Sequence, residues 1–426
     1  MTMDNVELDR DDEVVTMISR TIFVYPLVLL LTATGSALAV EVLTPQQELG
    51  KKIFFDKNLS FNNNQACAVC HAPGSGWTGD IPAINAHGAV YEGSIPGRFG
   101  NRKPPSSAYA TQSPILHLSK QGGGTFVGGN FWDGRATGER LGSPAAEQAL
   151  GPFLNPLEQA LGLPADVVGR ICVSTYSNLF LQVCGPAACN MANVNASYDC
   201  VGLSVAAYEG SPEVNQFSSK YDAVVAGMAK FTKQEQAGFN LFLGKAKCNK
   251  CHTVNPKAKQ ALFTDYTYDN LGVPKNPENP FYSADPQFNP LGAAWIDLGL
   301  GGFLNAQMMH PEWVPLARAN YGKQKVPTLR NVDKWDPALG SKVKAYSHNG
   351  YFKSLKGIVH FYNTRDVLPV CPGEFTEAVA LAANCWPLPE IALNMNTTEL
   401  GNLGLSEVEE EALVAFMKTL SDGYQP

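Results

Sequence analysis

Two identical five-residue patterns contain four of the ten cysteines in this 426-residue chain. They are Cys67-Ala-Val-Cys70-His71 and Cys248-Asn-Lys-Cys251-His252. Cys-x-x-Cys-His is the attachment signature of c-type haem, because the two thiols add to the vinyl groups and the histidine binds the iron. The two patterns lie too far apart in sequence to form one zinc site. We therefore expect two covalently bound haem c groups, with His71 and His252 as iron ligands.

The start of the chain carries the signals of an exported protein. Arg20 precedes an apolar stretch at residues 22–31, and a small-residue Ala-Leu-Ala site ends at Ala39. This pattern predicts a secretory signal peptide cleaved near that site, and a periplasmic protein without membrane attachment after cleavage. Because residues 4–13 are acidic, we expect translation to begin at Met17; an uncleaved anchor is the alternative.

Composition narrows the class of protein further. Hydrophobic residues make up 45% and charged residues 17% of the chain, which is enough apolar material for full cores and excludes a disordered or fibrous protein. The formal net charge is −7 and no basic block occurs, so we expect no nucleic-acid partner.

The six cysteines outside the two patterns predict disulfides, since their number is even and an exported protein meets an oxidising environment. Cys371 and Cys385 flank a local insertion and are expected to pair with each other. The other four allow three connectivities, and the sequence does not choose among them. These four are Cys172, Cys184, Cys189 and Cys200.

One type of helix start recurs ahead of each haem pattern and near the end of the chain. Thr44, Thr232 and Ser406 each precede a glutamine or glutamate three residues on, which is the signature of a capping box. The intervening chain is rich in glycine and proline and has few alternating strand patterns. The sequence thus predicts an all-α protein with long loops and two cytochrome c-like domains, one haem in each. The predicted division is an N-terminal extension with the signal peptide (1–39), a domain for the first haem (40–226) and a domain for the second (227–426).

Four longer motifs go beyond what a small cytochrome needs. They are Phe-Trp-Asp-Gly-Arg at 131–135, Gly-Pro-Phe-Leu-Asn-Pro-Leu-Glu at 151–158, Val-Pro-Thr-Leu-Arg-Asn at 326–331 and His-Asn-Gly at 348–350. Together with the paired haem patterns, they resemble the bacterial di-haem cytochrome c peroxidase family, which includes MauG. The resemblance covers nearly the whole chain after the leader. It implies a haem-dependent oxidoreductase that uses hydrogen peroxide, with Arg330 among the haem-binding residues.

In that family, peroxide reacts at the N-terminal haem. By the matching motifs, His71 resembles its proximal ligand, Glu158 the distal acid/base, and Gln148 and Pro152 residues that line the pocket. Trp132 resembles the residue that relays electrons between the haems. Splitting an O–O bond needs a group that moves a proton from one oxygen to the other, and a carboxylate on a proline-containing loop suits that task. Without the resemblance, Glu158 would be interpreted as a surface or cap acid, and Trp132 as a core residue.

The second iron ligand separates the branches of the family. Most members have a methionine fourteen residues after the histidine of a Pro-Tyr-x-His motif, which here reads Ala-Tyr-Ser-His and ends at His348. The corresponding residue is Tyr362, and MauG-like enzymes also have tyrosine there. A phenolate ligand implies a bis-Fe(IV) state that oxidises a protein side chain. If Tyr362 is instead a packed core residue, the candidate iron ligands are Met308, Met309, Met395 and His360.

Two further stretches, at 100–105 and 125–132, look most like the MbnH branch of MauG-like enzymes. Enzymes of that branch convert a tryptophan of a partner copper protein, MbnP, to kynurenine. The implied partners are therefore hydrogen peroxide and a periplasmic protein substrate of the MbnP type.

Three positions depart from the family pattern. The family often binds Ca²⁺ between the haems through an asparagine, but here Lys103 occupies that position and offers no acceptor atom. Asn101 and backbone carbonyls are the remaining candidate calcium ligands. Ala246 replaces the surface tryptophan through which MauG transfers electron holes. His87 lies where some peroxidases have a loop histidine that caps the resting haem, and we interpret it as a surface residue.

Three functions follow as hypotheses. The first is a MauG-like enzyme that oxidises a tryptophan side chain of a partner protein. The second is a cytochrome c peroxidase reduced by a small cytochrome or copper protein, and the third is a passive di-haem electron carrier. Glu158 and Gln148 argue against the carrier, which needs no open acid/base pocket. Tyr362 argues against the ordinary peroxidase.

Overall fold

The computed structural model describes residues 42–120, 124–254 and 260–425. The predicted signal peptide and the predicted start at Met17 lie outside these ranges. Within them, no helix is both long enough and apolar enough to cross a membrane.

Helices dominate the secondary structure, as the sequence predicts, and long loops connect them. In the described ranges the α-helices, numbered α1 to α13 in chain order, are Pro45–Phe55, Cys67–Cys70, Pro82–Ala86, Pro144–Leu154, Pro164–Cys172, Ser177–Cys184, Val194–Glu209, Lys220–Val225, Lys233–Leu243, Gly299–Asn305, Leu355–Thr364, Glu377–Ala383 and Glu407–Lys418. Short 3-10 segments lie between them, and one of these, Cys248–Lys250, begins the second haem pattern.

Two small antiparallel sheets depart from the all-α prediction. Strand β1 (His117–Ser119) pairs with β2 (Thr125–Val127), and β3 (Tyr268–Asp269) pairs with β4 (Gln324–Lys325). Each strand has two or three residues, which is too short for an alternating pattern to show in the sequence. Strand β4 leads directly into the 326–331 motif.

The three predicted capping boxes are present. The side chains of Thr44, Thr232 and Ser406 each accept a hydrogen bond from the backbone N–H three residues on, at 3.2–3.3 Å. In return, each N-cap backbone N–H donates to the glutamine or glutamate side chain, at 2.7–2.9 Å. These bonds satisfy donors that would otherwise be free at the starts of α1, α9 and α13.

Each haem pattern follows a helix that crosses another helix at a glycine. Helix α1 meets α7 at Gly50, where an added Cβ would lie 1.8 Å from the carbonyl oxygen of Ser204. Helix α9 meets α13 at Gly238, where an added Cβ would lie 1.9 Å from the carbonyl oxygen of Ala412. Only glycine allows the backbones to approach so closely, so both crossings fix the helix that leads into a haem pattern.

Buried apolar side chains form two large clusters. The first spans residues from Leu49 to Val214, and the second spans residues from Tyr221 to Leu420. The apolar face of α13 is buried in the second cluster, as is Tyr221 of α8. Helix α8 therefore packs with the second cluster although it precedes residue 226. The division into two domains at that residue remains a prediction.

Three disulfides form. Cys371 pairs with Cys385, which confirms the prediction. The four cysteines that the sequence left open pair as Cys172–Cys189 and Cys184–Cys200. The thiols of the two Cys-x-x-Cys-His patterns stay free, so they remain available for attachment of haem.

Candidate functional site

The first haem pattern and the residues expected on the peroxide side line one cavity, here called the first cavity. Its empty volume is about 550 Å³. The wall includes Cys67, Cys70 and His71 from the pattern and Gln148, Pro152 and Glu158 from α4 and the loop after it. The fold thus brings together residues that the resemblance assigns to one haem.

The second haem pattern lines a larger cavity, here called the second cavity, with an empty volume of about 1770 Å³. Cys248, Cys251 and His252 lie in its wall, and so does Tyr362 from α11. Trp132, Arg330 and His348 also line it. Residues far apart in sequence therefore meet at the second pattern, as the motifs imply.

Both pattern histidines are oriented by a backbone carbonyl. Nδ1 of His71 lies 3.3 Å from the carbonyl oxygen of Trp77, and Nδ1 of His252 lies 2.9 Å from that of Phe263. In the tautomer with the proton on Nδ1, this bond leaves Nε2 as the free lone pair for a metal. Burial lowers the pKa of His71 to about 4 and also lowers the pKa of His252, so both rings stay neutral. A neutral imidazole is the form that binds iron.

The four free thiols also fit covalent haem. Each of them lines one of the two cavities, while the other six cysteines are consumed in disulfides. Burial raises the pKa of all four thiols. They are therefore protonated and kept out of disulfide exchange until a partner enters the cavity. When haem is bound, its vinyl groups accept these sulfurs.

Glu158 has the surroundings of a proton-exchanging acid. Burial in the wall of the first cavity raises the pKa of its carboxyl group, while the charge of Arg135 and a hydrogen bond with the Asn155 side chain oppose this shift. Arg135 is held over the ring of Phe131, 3.6 Å from its centroid, and donates to Asp133 at 2.9 Å. The 131–135 motif thus positions a cation that acts on Glu158.

Trp132 is buried in the wall of the second cavity and is bonded to two separate segments of the chain. Its Nε1 donates to the carbonyl oxygen of Lys103 at 2.9 Å, and its carbonyl oxygen accepts from the backbone N–H of Lys325 at 2.8 Å. These bonds fix the indole ring where an electron relay would require it to be rigid.

Arg330 is fully buried, and its guanidinium group bonds to other residues of the protein. Its Nη atoms donate to both carboxylate oxygens of Asp222 at 2.7–2.8 Å, and Nε donates to the carbonyl oxygen of Ala261 at 2.6 Å. The guanidinium also lies 4.5 Å from the centroid of the Phe217 ring. Arg330 therefore joins α8 to the wall of the second cavity, and its predicted contact with haem remains a prediction.

The alternative ligands for the second iron are not among the residues that line this cavity. The side chains of Met308 and Met309 are 90% and 83% exposed. His360 bonds through Nδ1 to Glu410 at 3.0 Å. Met395 packs against Gly272. Among the methionines of the described ranges, it is Met417 of α13 that lines the second cavity, a residue that the sequence did not single out.

The structure also shows a second acid in the first cavity. Glu209, at the end of α7, is 3% exposed, and its Oε2 has no hydrogen-bond partner among the described residues. Burial raises the pKa of its carboxyl group to about 8. Its sequence context, an acid at the end of an ordinary apolar helix, gave no signal of this position. His87, in contrast, is exposed and bonds to Glu278 at 2.8 Å, as expected of a surface residue.

Comparisons with known proteins agree with this geometry. A model of the family described as di-haem cytochrome c peroxidase matches residues 44–230. The methylamine utilization protein MauG of Paracoccus denitrificans (strain Pd 1222) is 32% identical over 414 residues, covering 94% of this chain and 95% of that protein.

Two solved structures are similar over most of the chain. The diheme peroxidase BthA from Burkholderia thailandensis E264 has a TM-score of 0.71 and 30% identity, covering 90% of this chain and 88% of that one. A MauG-like protein associated with microbial copper homeostasis has a TM-score of 0.60 and 21% identity, covering 89% and 91%. At that identity the second structure shows the fold alone.

The fold, the two cavities and their thiol and histidine residues define a c-type di-haem protein. The chain belongs to the di-haem cytochrome c peroxidase and MauG family. It is accordingly a haem-dependent oxidoreductase with two haem c groups. Calcium binding stays a prediction.

Proposed function

We propose that this protein is a periplasmic enzyme that uses hydrogen peroxide to oxidise a tryptophan side chain of a partner protein. The observation that carries the proposal is the position of Tyr362, which lines the second cavity together with His252. Both residues would bind the second haem iron, while His71 would bind the first. The predicted N-terminal signal peptide supports the periplasmic location.

The first cavity would handle the protons of peroxide reduction. Each hydrogen peroxide takes up two electrons and two protons and leaves as two waters. When bound, the haems supply the redox chemistry for those electrons. Glu158, whose pKa is raised by burial, would take a proton from one peroxide oxygen and return it to the other. Gln148 and Pro152 lie in the same wall and would shape the site.

As a ligand of the second iron, Tyr362 would determine which electron donor the enzyme uses. Burial raises the pKa of its phenol, so the ring stays protonated unless a positive charge compensates for its ionisation. A metal ion supplies such a charge. A bound phenolate, unlike a neutral thioether, favours the oxidised metal. A phenolate ligand therefore suits an enzyme that removes electrons from a protein side chain better than one that takes electrons from a small redox protein.

A copper protein of the MbnP type is our proposed partner. The stretches at 100–105 and 125–132 support this assignment, and the fold of the solved MauG-like protein associated with microbial copper homeostasis is compatible with it. Ala246, just before the second haem pattern, is buried. The electron path to the partner must therefore use a residue other than the one at this position.

A cytochrome c peroxidase is the second candidate function. Met417 is the observation that favours it, because it lines the second cavity and carries a thioether. It lies within the second apolar cluster, together with residues of α9 and α11. If Met417 instead of Tyr362 binds the iron, the second haem becomes a high-potential electron acceptor.

Replacement of Tyr362 by histidine tests the proposal. Histidine keeps a ligand atom but removes the anionic charge, so both haems should still be bound. We expect peroxide to oxidise both irons above the ferric state in the wild type and only one iron in the variant, as counted by Mössbauer spectroscopy. Oxidation of the copper-protein partner should be lost, while consumption of peroxide continues.

Tyr346→Phe is the matched control, because Tyr346 is another buried tyrosine in the wall of the same cavity. It should behave as the wild type. A methionine–iron charge-transfer band in the resting protein that disappears in Met417→Leu would establish the peroxidase alternative and exclude Tyr362 as the ligand.

A further inference from the structure

Arg102 and Lys103 are adjacent buried cations with different surroundings. Arg102 pairs with Asp133 and Asp297, each at 2.6 Å. Lys103 is 8% exposed, and its Nζ donates to Oγ1 of Thr78 at 2.8 Å and to the carbonyl oxygen of Pro104 at 2.9 Å. Among the described residues, no carboxylate lies within ion-pair distance of this ammonium group. A buried charge without an anion is costly.

One N–H of Lys103 is unused. An ammonium group has three donors, and the two bonds to Thr78 and Pro104 account for two of them. Lys344, which is buried, and Lys325, which is half-buried, also line the second cavity, but each contacts three oxygens. Lys325 bonds to Ser113, Gly129 and Asn130, and Lys344 bonds to Ser75, Asn331 and Lys334. Of these three lysines, Lys103 alone has a donor left for a ligand.

Lys103 lies between the two haem sites. It lines the second cavity, and its backbone N–H donates to the carbonyl oxygen of His348 at 2.8 Å. Its ammonium partner Thr78 accepts, through its carbonyl oxygen, the backbone N–H of Ala72, which directly follows His71. The same side chain thus lines the second cavity and bonds to the loop that orients the first expected iron ligand.

Acidic side chains lie at two places in the wall of the second cavity. Asp297 and Glu390 lie beside His348, where Asp297 is paired with Arg102, and the other acids lie near the thiols. Oε2 of Glu399 lies 3.8 Å from Sγ of Cys251, and Asp269 joins them in one cluster. Haem c has its propionate carboxylates on the ring edge away from its thioether bonds. Acids near the thioether edge repel a carboxylate, while a lysine elsewhere in the wall attracts it.

We propose that Lys103 is a built-in cation between the haems, whose free N–H binds a propionate carboxylate of the haem in the second cavity. The inference requires the two haems but does not depend on which substrate is oxidised. A result that contradicts it therefore leaves the function proposed above untouched, and the reverse also holds. Burial lowers the pKa of the Lys103 ammonium group to about 7, and a carboxylate bonded to it would favour the charged form. That positive charge near both irons would stabilise their reduced states. Lys103 should therefore raise both reduction potentials, that of the second haem more.

Lys103→Met in the haem-loaded protein tests this assignment. Spectroelectrochemical titration should show the reduction equilibrium of the second haem shifted at least tenfold toward the ferric form, which corresponds to about 59 mV for one electron. The first haem should shift in the same direction by less. The propionate bending band in the resonance Raman spectrum should move, because its hydrogen-bond donor is gone.

Lys344→Met is the matched control. It removes another buried lysine of the same cavity whose N–H groups are already used, so the propionate band should stay in place. Unchanged potentials and an unchanged propionate band in Lys103→Met, with both haems bound, would overturn the proposal. If the methionine variant does not fold, Lys103→Arg and Lys103→Gln give the same answer. The proposal is supported if the reduction potentials are those of the wild type in the arginine variant and lower in the glutamine variant. Equal potentials in the two variants refute the proposal.

Discussion

Glu158 and Glu209 line the same cavity, but their surroundings give them different properties. The pKa of Glu158 is raised by burial, and the charge of Arg135 and the Asn155 side chain limit the rise. No such groups oppose the burial of Glu209, so its pKa rises to about 8. At neutral pH Glu209 is protonated in the folded protein. The fold therefore places two different acids around the expected peroxide site: Glu158, whose pKa is raised by burial but held down by its neighbours, and Glu209, which is neutral.

Glu158→Gln should slow the reaction with peroxide by about 10²–10⁴-fold, because glutamine has the same shape but cannot exchange a proton. Stopped-flow mixing with peroxide measures the rate, and absorption spectra verify that both haems are bound. Glu92→Gln is the control: this exposed acid also borders the first cavity, but its carboxylate accepts a bond from the backbone N–H of Gly97. A wild-type rate in Glu158→Gln would remove Glu158 from the mechanism.

Glu209 should make the folded protein less stable as the pH rises. Its pKa is about 8 in the folded state against 4.5 for the free group, so between these values the folded state holds a proton that the unfolded chain has lost. The free energy of unfolding therefore falls as the pH rises through this window, by about 1.4 kcal/mol per pKa unit at most. Denaturant unfolding of the haem-loaded protein at pH 5 and pH 8 measures the fall.

Glu209→Gln should remove most of that difference, since the amide does not titrate. Glu411→Gln, on the exposed side of α13, should leave the difference in place. An identical pH dependence in wild type and Glu209→Gln would show that the buried carboxyl is not the source.

At the scale of elements, local signals were predictable and contacts between elements were not. The capping boxes at Thr44, Thr232 and Ser406 follow from residues three apart, and the structure confirms all three. The pairing of Cys172 with Cys189 depends on how the end of α5 packs near the segment between α6 and α7, which no local pattern encodes. The same holds for the unused N–H of Lys103, because it is defined by partners from other loops.

The structure places most candidate site residues in the walls of two cavities, and each motif contributes several side chains at once. Gln148, Pro152 and Glu158 share the wall of the first cavity, and Tyr362 shares that of the second with His252. Met417 and Glu209 were not predicted, because each looks like an ordinary residue of an amphipathic helix. Only the packing of α13 and α7 brings them to the cavities.

Gly238→Ala should destabilise the second half of the chain. The new Cβ would lie 1.9 Å from the carbonyl oxygen of Ala412, so α9 and α13 must separate. Overpacking of this kind costs about 1–3 kcal/mol. Gly169→Ala, inside α5 and with no atom within 4 Å of the added Cβ, should be neutral or slightly stabilising. Thermal unfolding of both haem-loaded variants compares their stabilities. Equal unfolding midpoints would mean that α9 and α13 can separate at Gly238 without loss of stability.

At the scale of the whole molecule, a buried carboxylate near the C-terminal end joins segments of both predicted domains. Asp422 accepts hydrogen bonds from the hydroxyl of Tyr109 at 2.7 Å and from the backbone N–H of Ser218 at 3.0 Å. It also accepts from Nδ2 of Asn331 at 2.8 Å. Tyr109 and Ser218 precede residue 226, whereas Asn331 lies in the motif that lines the second cavity. One side chain therefore links the parts of the chain that carry the two haem patterns.

Asp422→Ala should weaken this link more than its single side chain suggests. The substitution leaves three donors without their acceptor, and each buried donor left unpaired costs about 1–3 kcal/mol. We expect a lower unfolding midpoint and earlier hydrogen exchange in peptides from both sides of residue 226, measured on the haem-loaded protein. Asp199→Ala is the control, because its ion pair with Arg140 is partly exposed to solvent and is expected to contribute little. If exchange accelerated on one side only, Asp422 would stabilise that side without coupling the two, and the haem-bearing parts would have to communicate through Trp132 and the bonds that fix it.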